Sequence, residues 1–374
     1  MNKLYVAIDP GFDTMKVVAN GVVFDFPFNA IETDERKMND YGIRDSFLAY
    51  KDEVGTTWRV GEYARELIFE NKNTAAESIQ DFYTESRFIS EEFKVGLRTA
   101  LALSLEKVGL SHADPCEIYL MVALPHACRS RYADTIIGSA AGKHRFSLRT
   151  GTEAEKNFSF TIEESNIFTV SQTIAAILGE TSDDDGSINL EKFHLLSEGP
   201  TLVLDGGYYT FGIVPVSRGG SVDDTKTESD THHAMKNVNL AVSKALQDKR
   251  PDIKHFVLEY MIAQNNGIVR YMEDGTAKTL DLNLLKQEKV AAVCTDFIAY
   301  LNSKYNSLLD YQYLVITGGT GACFFEQISR HYINANILPA DHIILTSSEL
   351  AGESHAPKYA ITIGAYKGLR GKVD

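Results

Sequence analysis

Residues 9–18 read DPGFDTMKVV, and residues 205–214 read DGGYYTFGIV. Laid over one another, the stretches agree at Asp9 and Asp205, Gly11 and Gly207, the aromatic Phe12 and Tyr208, Thr14 and Thr210, and two closing β-branched residues. Each follows a short apolar run, Leu4–Ile8 or Thr201–Leu204, and leads into another. Each therefore predicts a strand, a tight turn and a second strand, with Asp at the mouth of the hairpin. A D-x-G turn has a use in phosphate chemistry. Its glycine lets backbone N–H groups approach phosphate oxygens, and its carboxylate can hold Mg²⁺ through the ion's waters. Lys16 adds a cation that can reach phosphate oxygens, and Thr14 and Thr210 can donate hydroxyls. Taken singly, either stretch reads as an ordinary hairpin with Asp as turn former. Its repetition implies two similar half-molecules.

Working outward, 374 residues are too many for one ordinary core and suit two domains. Further apolar runs at Ile118–Leu124, Tyr313–Thr317 and His342–Thr346 predict buried strands. Phe93, Leu97, Ala100, Leu101, Leu105 and Val108 recur at helical spacing, as do Val290, Val293, Cys294, Phe297, Ile298, Leu301, Tyr305 and Leu308. Strands alternating with amphipathic helices predict a layered α/β protein with largely parallel central pairing. Asn29–Asn39, Thr181–Ser187 and Arg218–Asp230 read as surface loops, and Asp183–Asp185 lacks the alternating ligands of a calcium-binding loop.

Composition narrows the function. The apolar share of 44% and charged share of 24% are those of a soluble globular protein. No apolar run approaches the roughly 18 residues that would span a bilayer, and the N-terminus leads straight into a strand, so a cytoplasmic protein is expected. Cys116, Cys128, Cys294 and Cys323 are too scattered for a zinc site or a disulfide scaffold and read as reduced thiols. A formal net charge of −14 argues against direct nucleic-acid binding, which needs a basic surface.

A third glycine signal, Thr317-Gly318-Gly319-Thr320-Gly321, follows the strand Tyr313–Ile316 and precedes a predicted helix from Ala322. Such a turn lets a base or ribose pack against bare backbone. Phe324 stands where a dinucleotide fingerprint needs glycine, and the Gly138–His144 stretch has the wrong spacing for a Walker A loop. His232 and His233 are adjacent, without a partner cluster, and read as the lead into a helix around Met235–Leu246 rather than as a metal site.

Asp9-x-Gly11 with Lys16, Asp205-x-Gly207 with Thr210, and Gly318-Gly319-Thr320-Gly321 resemble, in this order, the first phosphate, second phosphate and adenosine motifs of the actin, sugar kinase and heat-shock chaperone superfamily. Ser171-Gln172-Thr173-Ile174-Ala175-Ala176 and Ala360-Ile361-Thr362-Ile363-Gly364-Ala365-Tyr366 resemble its two connecting helices, so the resemblance spans nearly the whole chain. It implies an α/β, actin-like (duplicated ribonuclease H-like) two-domain fold with a nucleotide cleft. Domain I would comprise residues 1–171 and 355–374, with an inserted subdomain at about 29–90, and domain II residues 172–354. ATP or ADP would be held by Gly11, Phe12, Asp13, Thr14 and Lys16, by Gly206, Gly207, Tyr208 and Thr210, and by Gly318, Gly319, Thr320 and Gly321. Asp9 and Asp205 would hold Mg²⁺ through water, and Gln172 would orient the water that attacks the γ-phosphate, giving slow turnover by placement and electrostatics. In a bland reading, Ser171 and Gln172 simply cap a helix. The sequence departs from the family pattern at Phe12, where a small residue is usual, and at Gly212, where many relatives have a second Asp.

Within the superfamily, the chaperones carry a large peptide-binding domain that this sequence does not show after Asp374, and no sugar or zinc signature of the kinases is evident. The C-terminal stretch Gly364–Asp374 is basic and lacks the apolar face of a membrane-binding helix. The expectation is thus a ParM-like plasmid-segregation actin that polymerises with itself and reaches DNA through an adaptor protein, without contacting nucleic acid or membrane directly. The alternative is a small-molecule, sugar-type kinase or phosphatase on the same ATPase fold.

Overall fold

The computed structural model describes residues 2–12, 14–33, 47–65, 85–110, 116–255 and 257–374. The chain divides into two compact units, residues 1–193 with 347–374, and residues 194–346.

In the first unit the strands are β1 (Asn2–Pro10), β2 (Thr14–Ala19), β3 (Val22–Pro27), β4 (Ala30–Thr33), β5 (Leu48–Asp52), β6 (Thr57–Val60), β7 (Cys116–Leu124), β8 (Gly142–Thr150), β9 (Lys156–Ile162) and β10 (Ile167–Ser171). The central sheet runs β3-β2-β1-β7-β10. The hairpin strands β1, β2 and β3 pair antiparallel, while β1, β7 and β10 pair parallel. A second, antiparallel sheet runs β4-β6-β5-β8-β9 and so draws on residues 142–162 as well as on the 30–60 stretch.

Leu4 to Pro10 are buried throughout, as a strand covered on both faces requires. Leu4, Val6 and Ile8 face the helix Glu91–Lys107 through Phe93, Leu97 and Leu101. Tyr5 and Ala7 face the helices Gln172–Thr181 and Ala360–Val373 through Ala175, Ala176, Ile361, Ala365 and Leu369. Asp9, two residues beyond Ala7, points to that second face.

In the second unit the strands are β11 (Thr201–Gly206), β12 (Phe211–Val216), β13 (Glu228–Asp230), β14 (Ile268–Glu273), β15 (Thr276–Asp281), β16 (Tyr313–Thr317) and β17 (Ile343–Leu345). Its five-stranded sheet runs β13-β12-β11-β16-β17, with an antiparallel β13-β12-β11 half and a parallel β11-β16-β17 half. The topology repeats that of the first sheet strand for strand. Register repeats as well: Asp9 stands opposite Lys16, and Asp205 opposite Gly212. The duplication read from residues 9–18 and 205–214 is therefore a duplication of sheets.

Several local expectations are corrected. Central pairing is mixed rather than largely parallel, because a hairpin must fold back on the strand it leaves. Within Asn29–Asn39, Ala30–Thr33 is a strand paired with β6, and residues 34–39 lie outside the described residues. Arg218–Asp230 ends in β13, paired with β12. The predicted helix from Val290 starts at Leu282, where Asp281 caps it by accepting from the Asn283 and Leu284 amides, and ends at Lys304. The glycines at 318–321 do not precede a helix but form the first turn of one, Gly318–Asn334. The basic C-terminal stretch does have an apolar face, and Tyr366 and Leu369 are core residues of the helix Ala360–Val373. All four cysteines are free, with Cys323 exposed. Among the described residues no helix is long and apolar enough to cross a membrane.

Candidate functional site

At the carboxyl ends of β1, β7 and β10, the parallel strands deliver Asp9, His126 and Gln172 to one edge of the sheet. Open α/β sheets take their ligands at that edge. Asp9 is only 1% exposed, so its charge needs partners. Lys16 Nζ, from the cross-strand position, lies 2.7 Å from Oδ2, and Gln172 Nε2 donates to Oδ1 at 2.7 Å. A carboxylate can only accept, which fixes the amide's NH₂ end on Asp9 and turns Gln172 Oε1 away, as an acceptor for another group.

Gln172 is the first residue of its helix. The Ser171 hydroxyl makes no cap, lying instead 2.7 Å from Thr173 Oγ1 and 3.1 Å from His126 Nδ1. Capping thus does not explain Ser171.

The glycine requirement is the same in both hairpins. A Cβ on Gly11 would lie 2.8 Å from the Thr14 carbonyl oxygen, and one on Gly207 would lie 3.1 Å from that of Thr210. In each D-x-G-x-x-T the Thr carbonyl folds over the glycine, so the pattern closes the turn irrespective of the threonine hydroxyls. Arg87 anchors the aromatic that follows in the first copy, its guanidinium 3.9 Å from the Phe12 ring centroid. In the second copy Tyr208 OH reaches the His255 carbonyl at 3.4 Å. Asp13 lies outside the described residues.

In the second unit, Asp205 stands between Gly212 and Thr317 in the sheet and is half-buried. The helix Gly318–Asn334 begins directly on the second hairpin. Gly318 adopts φ +80°, and its Cβ would lie 2.4 Å from the Gly206 carbonyl oxygen; a Cβ on Gly206 would lie 2.2 Å from the Gly321 amide nitrogen. Thr320 Oγ1 donates to the Gly207 carbonyl at 2.6 Å. The bareness of Gly206, Gly318 and Gly321 therefore goes into packing helix against hairpin rather than into open space for a base. Gly319 is the exposed member of the set, on a helical turn whose amides have no intrahelical acceptor. Within this unit, Asp205, Gly206, Gly207, Gly318, Thr320 and Gly321 form one cluster.

Two residues near the first hairpin were not legible in the sequence. Arg87 enters from a 3₁₀ turn 76 positions from Gly11, and His126 from the helix after β7. Neither belongs to a motif, and no local pattern marks either.

No family model matches the chain. No curated protein matches it. Solved structures do, over nearly its whole length. The crystal structure of actin-like protein Alp7A is 14% identical with a TM-score of 0.71, covering 99% of this chain and 97% of that one. The structure of a 15-stranded ParM filament from Clostridium botulinum is 19% identical with a TM-score of 0.66, covering 98% of both chains. Bacillus thuringiensis ParM with ADP is 14% identical with a TM-score of 0.59, again covering 98% of both. The fold is actin-like. At these identities the likeness establishes fold, and the ParM-like actins share its plan from end to end.

Proposed function

We propose that this chain is an ATP-hydrolysing, actin-like filament protein that works in the cytosol. The carrying observation is that a D-x-G-x-x-T hairpin recurs at the same place and register in two sheets of one topology, with the Gln172 amide held on the Asp of the first. In this reading the hairpins take the ATP phosphates, and the helix start around the exposed Gly319 takes part at the adenosine end. Lys16 donates to phosphate oxygens. Gln172, held by its NH₂ group, offers Oε1 to orient the attacking water. An amide is a poor base, so turnover rests on placement and is slow.

Mg²⁺ fits the residues present. Among the described residues no cluster of three His, Cys, Asp or Glu could cage a metal directly, so Mg²⁺ would bind largely hydrated, with Asp9 and Asp205 each a carboxylate that could accept from its waters. When bound, it would neutralise charge developing on the transferred phosphoryl group. The filament part of the reading is supported by the likeness to the Clostridium botulinum filament protein, and the nucleotide part by the ADP-bound Bacillus thuringiensis structure. A net charge of −14 suits a segregation role in which a basic adaptor makes the DNA contact.

Gln172→Ala is expected to slow phosphate release by about 10²-fold with nucleotide affinity close to wild type. Parallel loss of affinity and turnover would make Gln172 a packing residue. The kinase alternative is separated by phosphate release with ATP·Mg²⁺ in the presence and absence of a sugar panel. Hydrolysis without an acceptor supports the ATPase, and phosphorylation of a sugar supports the kinase.

A further inference from the structure

Arg87 is 2% exposed, and nothing in the proposed hydrolysis uses it. A buried guanidinium is expensive unless its donors are matched. Two of them are matched in an unusual way: Nη2 donates to the Pro10 carbonyl at 2.6 Å and Nη1 to the Gly11 carbonyl at 2.8 Å, while Nε makes no hydrogen bond. These are consecutive carbonyls of the first glycine turn. The guanidinium also stacks on Phe12, at 3.9 Å, and packs near the Phe88 ring at 4.7 Å.

The consequence follows from peptide geometry. In a planar trans peptide the C=O and N–H point in opposite directions. Holding the Pro10 and Gly11 carbonyls toward one planar fork fixes both peptide planes of the turn, and it directs the Phe12 N–H away from the guanidinium. Pro10 fixes one dihedral of the turn and the Gly11 N–H donates to the Asp9 carbonyl at 3.0 Å, but Gly11 has no side chain to restrict the Gly11–Phe12 peptide. Charge acts in the same sense. With one carboxylate, Asp9, and two cations, Lys16 and Arg87, the set carries one net positive charge beneath the turn. Burial lowers the Arg87 pKa to about 10, against the pull of Asp9, which still leaves it charged at neutral pH.

We propose that Arg87 is a positioning residue for polyphosphate binding: it locks the Pro10–Gly11–Phe12 backbone in the phosphate-accepting conformation and supplies buried positive charge behind it. Phe12 then belongs to the same device, as the platform on which the guanidinium is stacked. The proposal rests on the reading of the first hairpin as a phosphate turn.

The test is calorimetric titration of the full chain with ATP·Mg²⁺, ADP·Mg²⁺ and adenosine. Arg87→Met keeps much of the buried stem and removes the fork. It is expected to weaken ATP and ADP by about 10–100-fold, the worth of hydrogen bonds from a charged group, with adenosine within about twofold of wild type. Arg87→Lys keeps the charge but cannot hold two carbonyls in one plane, so it should recover only part of the loss. That variant also decides the matter if Arg87→Met fails to fold. In steady-state hydrolysis KM should rise far more than kcat falls. Unchanged ATP affinity in a folded variant, or equal losses for ATP and adenosine, would overturn the proposal. A wild-type chain that binds neither ATP nor ADP would instead overturn the phosphate-turn reading beneath it.

Discussion

Asp205→Ala is expected to cut Mg²⁺-dependent phosphate release by about 10³-fold, since a bound cation contributes several kcal/mol of transition-state charge stabilisation. The two motif carboxylates differ in how exposed they are. Asp9 is buried and clamped between Lys16 and Gln172, whereas Asp205 is half-buried. Asp205 is thus the better placed to bind a hydrated ion. Its loss should change stability by no more than about 1 kcal/mol, as for substitutions away from core packing. Asp9→Ala differs, because it strands the partly buried Lys16 ammonium. Phosphate release by a folded Asp205→Ala variant at the wild-type rate would remove Asp205 from the metal site.

Gly364→Ala should destabilise the first unit by about 3 kcal/mol or more, the upper range for overpacking. Its Cβ would lie 1.8 Å from the Ala175 carbonyl oxygen and 2.8 Å from the Gly179 amide nitrogen. Both obstacles are backbone of the helix Gln172–Thr181, so the two helices must part, and with them the element that carries Gln172. Gly368→Ala is the control, because its Cβ would meet the end of the flexible Leu178 side chain at 2.8 Å and should cost under about 1 kcal/mol. Urea titrations of the two variants check this. Similar midpoints for both would mean that the helix crossing tolerates a methyl group.

The duplicated hairpins were legible because their requirement is local. The Thr14 and Thr210 carbonyls sit three residues from Gly11 and Gly207, so the sequence spacing carries the steric constraint directly. The strand Tyr313–Thr317 and the helix Glu91–Lys107 were legible from burial periodicity. What escaped depends on contacts distant in sequence. Arg87 reaches Gly11 across 76 positions, and the role of Gly318 and Gly321 as a seat on Gly206 requires β16 to be paired with β11. Short strands such as Ala30–Thr33 and Glu228–Asp230 were hidden because their partners, not their composition, make them strands. The C-terminal helix was legible, but its apolar face was missed for a related reason. Its glycines look like breaks in an apolar face, yet Gly364 is what lets that face approach the helix Gln172–Thr181.

The most direct test of the account is sedimentation of the purified full chain, with negative-stain microscopy of the pellet, in EDTA and in ATP·Mg²⁺. Soluble protein is expected in EDTA, and filaments in ATP·Mg²⁺ above a critical concentration of about 1 μM, equivalent to about 8 kcal/mol per added subunit and within reach of an ordinary interface. Moderate salt should lower that concentration, because subunits with a net charge of −14 repel one another. A non-hydrolysable ATP analogue should give longer-lived filaments than ATP. Protein that stays in the supernatant with every nucleotide and salt, while transferring phosphate to a small molecule, would contradict the account.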